Sequence, residues 1–300
     1  MPEIWSNTDF PYMCLKDRVR TLAFRQAIRN AVRPGDVVID AGAGTGILSF
    51  FAAEAGAKQV YAVEIDPLLV ASLHRSVALN DLQDVITVIQ GDASVVDLPL
   101  GVDVFVGELI DTGLMEEMQV EVVNTLRERG VIALTTRVIP ERYTTYVELV
   151  EDQSSYYGFR IAAPKHEWPF YRSCGDDAWH RAEVVPLTER VAVASVDFRC
   201  LIAPAVTHHI MLTGRRDGVA NGVRLSGRIQ LAPAVVLGAT SAMNGDKILR
   251  LKRDVRVSAG APLYLGIYCG LGQGLASFCC DLSEQSATGW VARKRAAGER

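Results

Sequence analysis

The stretch Val37–Leu48 constrains this chain more than any other part of the sequence. An apolar, β-branched run ends at Asp40, and glycines then occupy every second position, at Gly42, Gly44 and Gly46. This order predicts a strand, a tight turn and the start of a helix. Glycine lets the backbone turn at positive φ and lets a ligand lie against the main chain, while the helix start offers unpaired N–H groups. The stretch therefore indicates a nucleotide-type cofactor site.

The spacing of the glycines narrows the choice of ligand. A dinucleotide-binding turn would place its third glycine at the position of Ile47, so that pattern fails. The pattern Asp40-x-Gly-x-Gly-x-Gly instead resembles motif I of the class I S-adenosylmethionine (SAM) methyltransferases, which implies SAM as the cofactor. A second acid, Glu64, ends the next apolar strand, where a carboxylate can accept hydrogen bonds from both ribose hydroxyls. We expect Asp40, the three glycines and Glu64 to bind the cofactor.

Helical and strand patterns alternate through the first half of the chain. Apolar residues at helical spacing over Cys14–Val32 predict one helix ahead of the sheet, and strands follow at Val85–Ile89 and Val102–Glu108. The alternation predicts a doubly wound α/β, Rossmann-like sheet that binds ligands at the carboxyl ends of its strands. We expect Asp92 and Ala93 to contact the adenine. The acids that follow strands, and so point to a single site, are Asp40, Glu64, Asp92 and Glu108.

The pattern changes near Pro140. Tyr143–Val150 alternates between apolar and polar residues, and further short strands are predicted at Val191–Phe198, Val223–Leu231 and Pro262–Tyr268. Turn residues separate them, which favours an antiparallel β-sandwich or barrel. We therefore predict two closely packed domains: residues 1–138 with the N-terminal helix and the SAM-binding domain, and residues 139–300 as a substrate and dimerisation domain.

Composition argues against several function classes. The chain has 31 basic and 35 acidic side chains and a net charge of −4, and its one basic cluster is Arg293-Lys294-Arg295. Nucleic acid is therefore a poor candidate as a partner, because phosphate binding needs a concentrated positive face. The sequence shows no signal peptide, no membrane-spanning apolar run and no metal-ligand cluster. Six cysteines without a regular framework indicate free thiols, so we predict a cytoplasmic protein without a metal.

An acidic segment follows the strand that ends at Glu108. Glu108 at a strand end and Glu117 at a helix start can converge on one pocket beside the cofactor. Two carboxylates match the planar fork of a guanidinium and would fix its orientation. We expect Glu117 to accept the proton that such a guanidinium would lose in a reaction, with Asp111 as a relay. Neighbouring residues of a helix point about 100° apart, so we expect Glu116 to face solvent.

Here the sequence resembles a family. Glu108 with Glu117 resembles the paired-glutamate loop of the protein arginine methyltransferases, and Met13–Thr21 resembles their N-terminal helix. The resemblance implies that Arg20 holds the cofactor's carboxylate. It also implies a homodimer that transfers a methyl group from SAM to a guanidino nitrogen of arginine. The residues after Glu108 are closer to the monomethylating branch of the family. Two further segments are similar to the family: Gly46–Lys58 and Ile139–Thr144.

Two departures concern the substrate side. Where the family has a Thr-His-Trp loop, the nearest counterpart is Asn244-Gly245-Asp246, since Thr207-His208-His209 comes too early and begins a strand. The short N-terminus leaves only Trp5, Phe10 and Tyr12 for an aromatic lid. Both changes favour free L-arginine as the substrate, with N-omega-monomethyl-L-arginine as the product.

Other interpretations stay open at this point. The substrate could be a peptidyl arginine, the two acids could hold an amine, or the chain could be a SAM-binding module without turnover. The irregular segment Ala163–Val185 corresponds to the dimer arm of the family, and its aromatic residues can contribute to a dimer or to an ordinary core. Those aromatic residues are Trp168, Tyr171 and Trp179.

Overall fold

The computed structural model describes residues 9–169 and 183–283, and helices alternate with strands in the first half of these. The helices are α1 (Asp9–Lys16), α2 (Arg18–Ala31), α3 (Ile47–Glu54), α4 (Pro67–Leu79) and α5 (Gln119–Glu128). The strands are β1 (Val37–Ala41), β2 (Gln59–Glu64), β3 (Ile86–Gln90), β4 (Val104–Gly107) and β5 (Arg137–Ile139). All five strands are parallel, in the order β3-β2-β1-β4-β5. The predicted Rossmann-like sheet is confirmed.

The order of the strands locates the binding cleft. The chain runs outward from β1 to β2 and β3, and then returns to place β4 on the other side of β1. This reversal opens a crevice beyond the carboxyl ends of β1 and β4, where open α/β sheets bind their ligands. Local signals fix the helices around it. For example, the carboxylate of Asp66 accepts hydrogen bonds from the amides of Leu68 and Leu69, and Pro67 occupies the first position of α4.

The single N-terminal helix predicted over Cys14–Val32 is wrong, because the chain breaks at Asp17 into α1 and α2. The Asp17 carboxylate caps α2 by accepting a hydrogen bond from the amide of Arg20 at 3.1 Å. Its other oxygen accepts one from the amide of Ala242 in the second half of the chain at 2.7 Å. Asp17, which lies at the break, therefore joins the N-terminal segment to the second domain.

The second half is built of antiparallel strands. These are β6 (Arg142–Asp152), β7 (Ser155–Tyr156), β8 (Phe159–Arg160), β9 (Lys165–Glu167), β10 (Val184–Pro186), β11 (Val191–Asp197), β12 (Ala205–Thr213), β13 (Gly218–Ala232), β14 (Val235–Leu237), β15 (Asp246–Val257), β16 (Pro262–Gly270) and β17 (Cys279–Ser283). The main sheet has the order β10-β6-β13-β15-β9, with β11 and β14 paired beside it, and β12-β16-β17 form a second sheet. The sheets curl into a barrel-like unit, as the alternating pattern predicted.

The two halves meet without a linker. Strand β5 ends at Ile139 and β6 begins at Arg142, while the domain boundary at residue 139 stays a prediction. Buried apolar residues of both halves form one continuous core, and Asn124 on α5 exchanges two hydrogen bonds with the backbone of Ile202. The cysteines of the described ranges are free thiols, and Cys174 lies outside them. Within the same ranges, no helix is both long and apolar enough to cross a membrane.

Candidate active site

A cavity of about 570 Å³ lies beyond the carboxyl ends of β1, β2 and β4. One wall is the glycine turn after β1, a second is the loop after β4, and helix α1 covers part of the opening. The predicted site residues that line this cavity are Arg20, Gly42, Gly44, Glu64, Asp92, Ala93, Glu108 and Glu117. Residues far apart in the sequence thus share one cavity, as the strand-end argument predicted.

The glycine turn has the backbone that its sequence requires. Gly42, Gly44 and Gly46 have φ values of 73°, 56° and 84°, a region that residues with a Cβ rarely adopt. A Cβ on Gly46 would collide with the side chain of Leu73 on α4, so this glycine also lets α4 pack closely. Gly46 lies behind the turn and not on the cavity wall. Its predicted contact with the cofactor stays a prediction.

Glu64 organises the turn from the neighbouring strand. One carboxylate oxygen accepts a hydrogen bond from the amide of Gly44 at 2.7 Å. The other accepts from the amides of Ile65 and Asp66 at 2.8 and 2.9 Å. These donors fix the carboxylate at the cavity wall, and the oxygen that accepts from Gly44 keeps a lone pair for a ligand hydroxyl. The geometry fits the predicted contact with a ribose.

Asp40 lies beneath the glycine turn and is buried. Its Oδ2 accepts a hydrogen bond from the hydroxyl of Ser49 at 2.6 Å, and Oδ1 has no partner among the residues that the structure describes. Burial raises the pKa of Asp40 to about 6, with Ser49 opposing the shift. This unpartnered oxygen can accept a hydrogen bond from a ligand that carries a donor group facing Asp40. A direct contact with the cofactor stays a prediction for this residue.

Asp92 and Ala93 follow β3 and line the far end of the cavity. The Oδ1 of Asp92 accepts hydrogen bonds from the amide and the hydroxyl of Ser94 at 2.8 and 2.7 Å. This local turn holds the carboxylate at the wall and leaves Oδ2 to accept a ligand N–H. The position fits the predicted adenine contact.

Arg20 and Glu108 were predicted for different ligands, but the structure pairs them directly. The guanidinium of Arg20 donates from Nη2 to Oε2 of Glu108, and from Nη1 to the carbonyl of Cys14 at 3.4 Å. Burial alone would lower the pKa of Arg20, but Glu108 raises it above its ordinary value. Burial also raises the pKa of the neighbouring Cys14 thiol to about 12, so Cys14 is neutral. In this structure Arg20 is thus the ion-pair partner of Glu108.

Glu117 lies on the same wall as Glu108. Burial raises the pKa of Glu117 well above its ordinary value, and the charges of Glu108 and Asp111 raise it further. Lys247 and Arg20 lower it in part. A cation that enters the cavity would relieve the repulsion between these carboxylates. The arrangement therefore favours a positively charged ligand.

The acidic loop, residues 108–118, is held together by a lysine from the second domain. Lys247 on β15 is buried, and its ammonium contacts Asp111 and, at 2.5 Å, Glu116. The Oδ1 of Asp111 accepts hydrogen bonds from the amides of Glu116 and Glu117 at 3.0 and 3.2 Å. Both oxygens of Asp111 are thus engaged, one by Lys247 and the other by two amides of the loop. The expectation that Glu116 faces solvent is wrong, because the loop turns its carboxylate toward Lys247.

Further bonds tie the acidic loop to the second domain. The hydroxyl of Thr112 donates to the carbonyl of Gly245 at 2.6 Å, and the amide of Gly113 donates to the hydroxyl of Tyr143 at 3.1 Å. The turn after β16 adds hydrogen bonds from Gly272 and Gly274 to the carbonyls of Leu114 and Met115, at 3.0 and 2.7 Å. The loop is thus positioned by the barrel rather than by the strand that leads into it.

Asn244-Gly245-Asp246 lies directly behind the acidic loop, as its suggested correspondence to the family loop implied. A histidine on β9 and the tryptophan that follows this strand reach this place, because β9 pairs with the start of β15. The ring of His166 stacks on Trp168 with centroids 4.2 Å apart, and Trp168 meets the ring of Phe10 edge-on at 5.5 Å. Burial, with help from Lys247, lowers the pKa of His166 to about 4, so its ring is neutral at pH 7.

Other sequence expectations fall elsewhere. His208 and His209 are exposed on β12 and do not line the cavity, in agreement with a structural role. Trp5, Tyr171 and Trp179 lie outside the described residues. Over the described ranges, no group of three or more His, Cys, Asp or Glu side chains could hold a metal ion.

Sequence reasoning missed Lys247 and His166. One signal was available: four acids from position 108 to position 117 need compensating cations when they are buried, and the lysine directly before Ile248 and Leu249 is a candidate. The pairing of Arg20 with Glu108 had no such local signal. It depends on α2 crossing the end of β4.

Comparison with known proteins agrees with this geometry. A family model described as the TRM5/TYW2 methyltransferase domain matches residues 18–160, slightly less than half of the chain. The chain is 31% identical over 244 residues to the uncharacterised protein MJ1452 of Methanocaldococcus jannaschii, covering 81% of this chain and 86% of that protein. It is 36% identical over 142 residues to protein arginine N-methyltransferase 1 of Dictyostelium discoideum, covering 46% of this chain and 41% of that one.

The chain belongs to the protein arginine methyltransferase-like family of class I SAM-dependent methyltransferases. It spans about a third to a half of the length of the arginine N-methyltransferases that it matches. The similarity of fold extends over most of the chain. The solved Trypanosoma brucei PRMT1 enzyme–prozyme heterotetrameric complex with AdoHcy superposes with a TM-score of 0.73 at 20% identity, covering 92% of this chain and 97% of that chain.

The residues at the cavity fit the methyl donor of this family. The glycine turn leaves the main chain accessible, Glu64 and Asp92 present carboxylate oxygens for a nucleoside, and Arg20 offers a cation for a carboxylate. The unpartnered Oδ1 of Asp40 beneath the turn is a further acceptor. These are the groups through which SAM binding was predicted.

Proposed function

We propose that this chain transfers a methyl group from SAM to a guanidino nitrogen of arginine. One observation supports the proposal above all others: Glu108 and Glu117 line the same cavity as the glycine turn and Glu64. Two carboxylates beside a methyl-donor site match a planar cation that can donate two pairs of hydrogen bonds. The names of the matched relatives, which include protein arginine N-methyltransferases, agree with this chemistry.

Orientation is the main task of the protein in this reaction. When bound, SAM supplies a sulfonium methyl group that is already activated. Glu108 and Glu117 would hold the guanidinium plane so that one nitrogen points at that methyl group. Their negative charges would also offset the repulsion between substrate and donor, and would concentrate the guanidinium charge on the nitrogens that they hold.

Arg20 would link the two ligands. In this structure its guanidinium forms an ion pair with the Glu108 carboxylate, to which the substrate would have to bind. The carboxylate of SAM, which Arg20 is predicted to bind, would compete for the same guanidinium. Glu108 would then be available to the substrate when the donor is present.

Glu117 is the group that we propose as proton acceptor. An ordinary guanidinium stays protonated at neutral pH, so the proton should leave as the methyl group arrives. A carboxylate with a raised pKa is better suited to take it than an ordinary one. Asp111 was predicted as a relay, but its engagement with Lys247 and two loop amides supports a positioning role.

The substrate is either a peptidyl or a free arginine. Arg20 is the sole basic side chain on the cavity wall, as far as the described residues extend, and it would be occupied by the donor. The α-carboxylate of free L-arginine would then have no cationic partner, whereas a peptidyl arginine has no such carboxylate. This consideration favours the peptide. Free L-arginine stays the prediction made from the sequence.

The test is a competition assay analysed by mass spectrometry. The protein is incubated with SAM and equal amounts of L-arginine, an Arg-Gly peptide and L-lysine, and each product is resolved by mass. We expect one added methyl group on a guanidine, and at least about a hundredfold loss of turnover in Glu117→Gln with SAM affinity retained. Glu128→Gln, an exposed glutamate on α5, is the matched control.

The other outcomes identify the alternatives. Methylated lysine would show an amine methyltransferase, and SAM binding without any product would show a binding module. A second methyl on the guanidine would contradict the predicted monomethylation.

We also propose a homodimer. The fold neighbour from T. brucei is part of a heterotetrameric complex, which agrees with assembly of this chain. Light scattering of the purified chain would test this proposal. A monomer at micromolar concentration would contradict it.

A further inference from the structure

Lys247 is the most unusual charged residue in the described part of the chain. Only about 2% of its side chain is accessible, although lysine is rarely buried without partners. It projects from the first residues of β15 toward the loop after β4, where it contacts Asp111 and Glu116. The contact joins two segments that are 136 positions apart in sequence.

We propose that Lys247 is a positioning residue of the acidic loop, an inference that rests on the proposed function. Its ammonium holds Asp111 and Glu116 together beneath the loop. Asp111 in turn accepts the amide hydrogens of Glu116 and Glu117 and so fixes the loop backbone at its second acid. Glu116 also lines the cavity, but its carboxylate is engaged by Lys247, so Glu108 and Glu117 are the pair that we assign to the substrate.

The same cation sets the charge balance at Glu117. Glu117 must be ionised to hold a guanidinium, yet burial and the neighbouring acids oppose its ionisation. Lys247 supplies one of the two positive charges that counter them, and Arg20 supplies the other. The groups around Glu117 and Lys247, from every packed element, are Cys14 on α1, Arg20 on α2, Glu108, Asp111 and Glu116 of the loop, His166 on β9 and Cys269 on β16.

The sign of the effect follows from this balance. Without Lys247 the pKa of Glu117 should rise further, so a larger fraction of it would be protonated at neutral pH. The acidic limb of kcat/KM for the guanidine substrate should then move to higher pH. Removing one nearby charge from a partly buried site shifts the acidic limb of the pH profile by about one pH unit.

The experiment compares pH profiles at saturating SAM. We expect Lys247→Met to lose about tenfold in kcat/KM at pH 7 and to recover part of this by pH 9, since one pH unit on the acidic limb is a tenfold change. Lys247→Arg should restore the position of the limb because it keeps the charge. SAM affinity by calorimetry should be unchanged in both variants.

Lys165→Met is the matched control. Lys165 is also a buried lysine of the second domain paired with a carboxylate, that of Asp152, but it lies on the other face of the sheet. Its loss should lower stability without moving the acidic limb. A limb that stays in place in Lys247→Met, or moves equally in Lys165→Met, would overturn the proposal.

Two measurements keep the inference testable if a variant or the assay fails. Glu116→Gln retains Lys247 and removes a negative charge, so the limb should move to lower pH; a shift to higher pH would contradict the proposal. If the wild-type chain shows no turnover, the proposed function fails, but carboxyl NMR still reports the titration of Glu117. In that case an unchanged midpoint of Glu117 between wild type and Lys247→Met would overturn the role of Lys247 independently.

Discussion

The glycine turn and the acidic loop face each other across one cavity, yet they are held in different ways. The turn is fixed by partners from the same sheet, such as Glu64, which lies 20 positions from Gly44. The acidic loop is fixed by Gly245 and Lys247, which lie more than 130 positions from their partners Thr112 and Asp111. Donor binding is therefore encoded locally, whereas the substrate side depends on how the two domains pack.

The largest effect should come from breaking the donor side. Glu64→Ala removes the acceptor of three loop amides and of the predicted ribose hydroxyls. The charge-assisted hydrogen bonding to the ribose and the anchor of the glycine turn are both lost, so SAM affinity should fall by about 10²–10³-fold in calorimetry. The control is Glu54→Ala, a glutamate of the same domain whose carboxylate pairs with the exposed Arg25. Equal affinities for both variants would contradict the assignment of Glu64.

The backbone of the glycine turn can be tested through stability. Gly46→Ala introduces a Cβ at φ 84° that collides with Leu73, and it should lower the free energy of unfolding by about 3 kcal/mol. Gly35 has φ 93° but open space around its Cβ position, so Gly35→Ala should cost only about 1 kcal/mol. Denaturant unfolding would measure both. The difference isolates the packing of α4 from the cost of a left-handed backbone.

Asp40 gives the donor side a pH dependence. Its pKa in the folded protein, about 6, is raised above the ordinary value by burial. Its contribution to stability is therefore fully present below about pH 4 and is lost as the pH rises through about 6, by about 3 kcal/mol. Asp40→Asn should remove this dependence in unfolding experiments without SAM.

A second aspartate provides a control of opposite sign. Hydrogen bonds from Arg199 lower the pKa of Asp197, so its contribution is present at neutral pH and is lost as the pH falls. The difference between wild type and Asp197→Asn should shrink in acid. The corresponding difference for Asp40→Asn should instead decrease as the pH rises.

The smallest expected effect comes from a pair of threonine variants, which distinguishes the acidic loop from the sheet most directly. Thr112 and Thr136 each donate a buried hydrogen bond of 2.6 Å to a backbone carbonyl, but only Thr112 holds the acidic loop. Replacing either by valine should cost about 1 kcal/mol of stability. Thr112→Val should also lower turnover several-fold with SAM affinity unchanged, whereas Thr136→Val should not. Parallel kinetics and calorimetry would decide whether the loop depends on the second domain.

This contrast explains what could be predicted from the sequence. Asp40, the three glycines and Glu64 lie close together in the chain and have strong local signals, so the strand, turn and acid were recognisable. Glu108 and Glu117 were placed on one cavity because strand ends of a parallel sheet meet at one edge. Asp17 was missed because a polar residue within a helical pattern does not reveal that it caps a second helix.

The contacts that were not predicted are long-range. Nothing near Lys247 in the sequence identifies Asp111 and Glu116 as its partners, because the contact exists only when the barrel packs on the sheet. The histidine and tryptophan behind the loop come from β9 and the residue after it, and not from the segment before β15, for the same reason. The pairing of Arg20 with Glu108 likewise depends on the path of α2 over the sheet.

The hydrogen bonds from Gly272 and Gly274 to the acidic loop have a consequence for selectivity. They attach the strip of backbone between the two glutamates to a turn of the barrel, so the span between the carboxylates follows the position of that turn. A fixed span suits a flat, forked cation better than a round ammonium. Small changes in the β16–β17 turn could therefore retune which cation is accepted while the donor cradle stays the same.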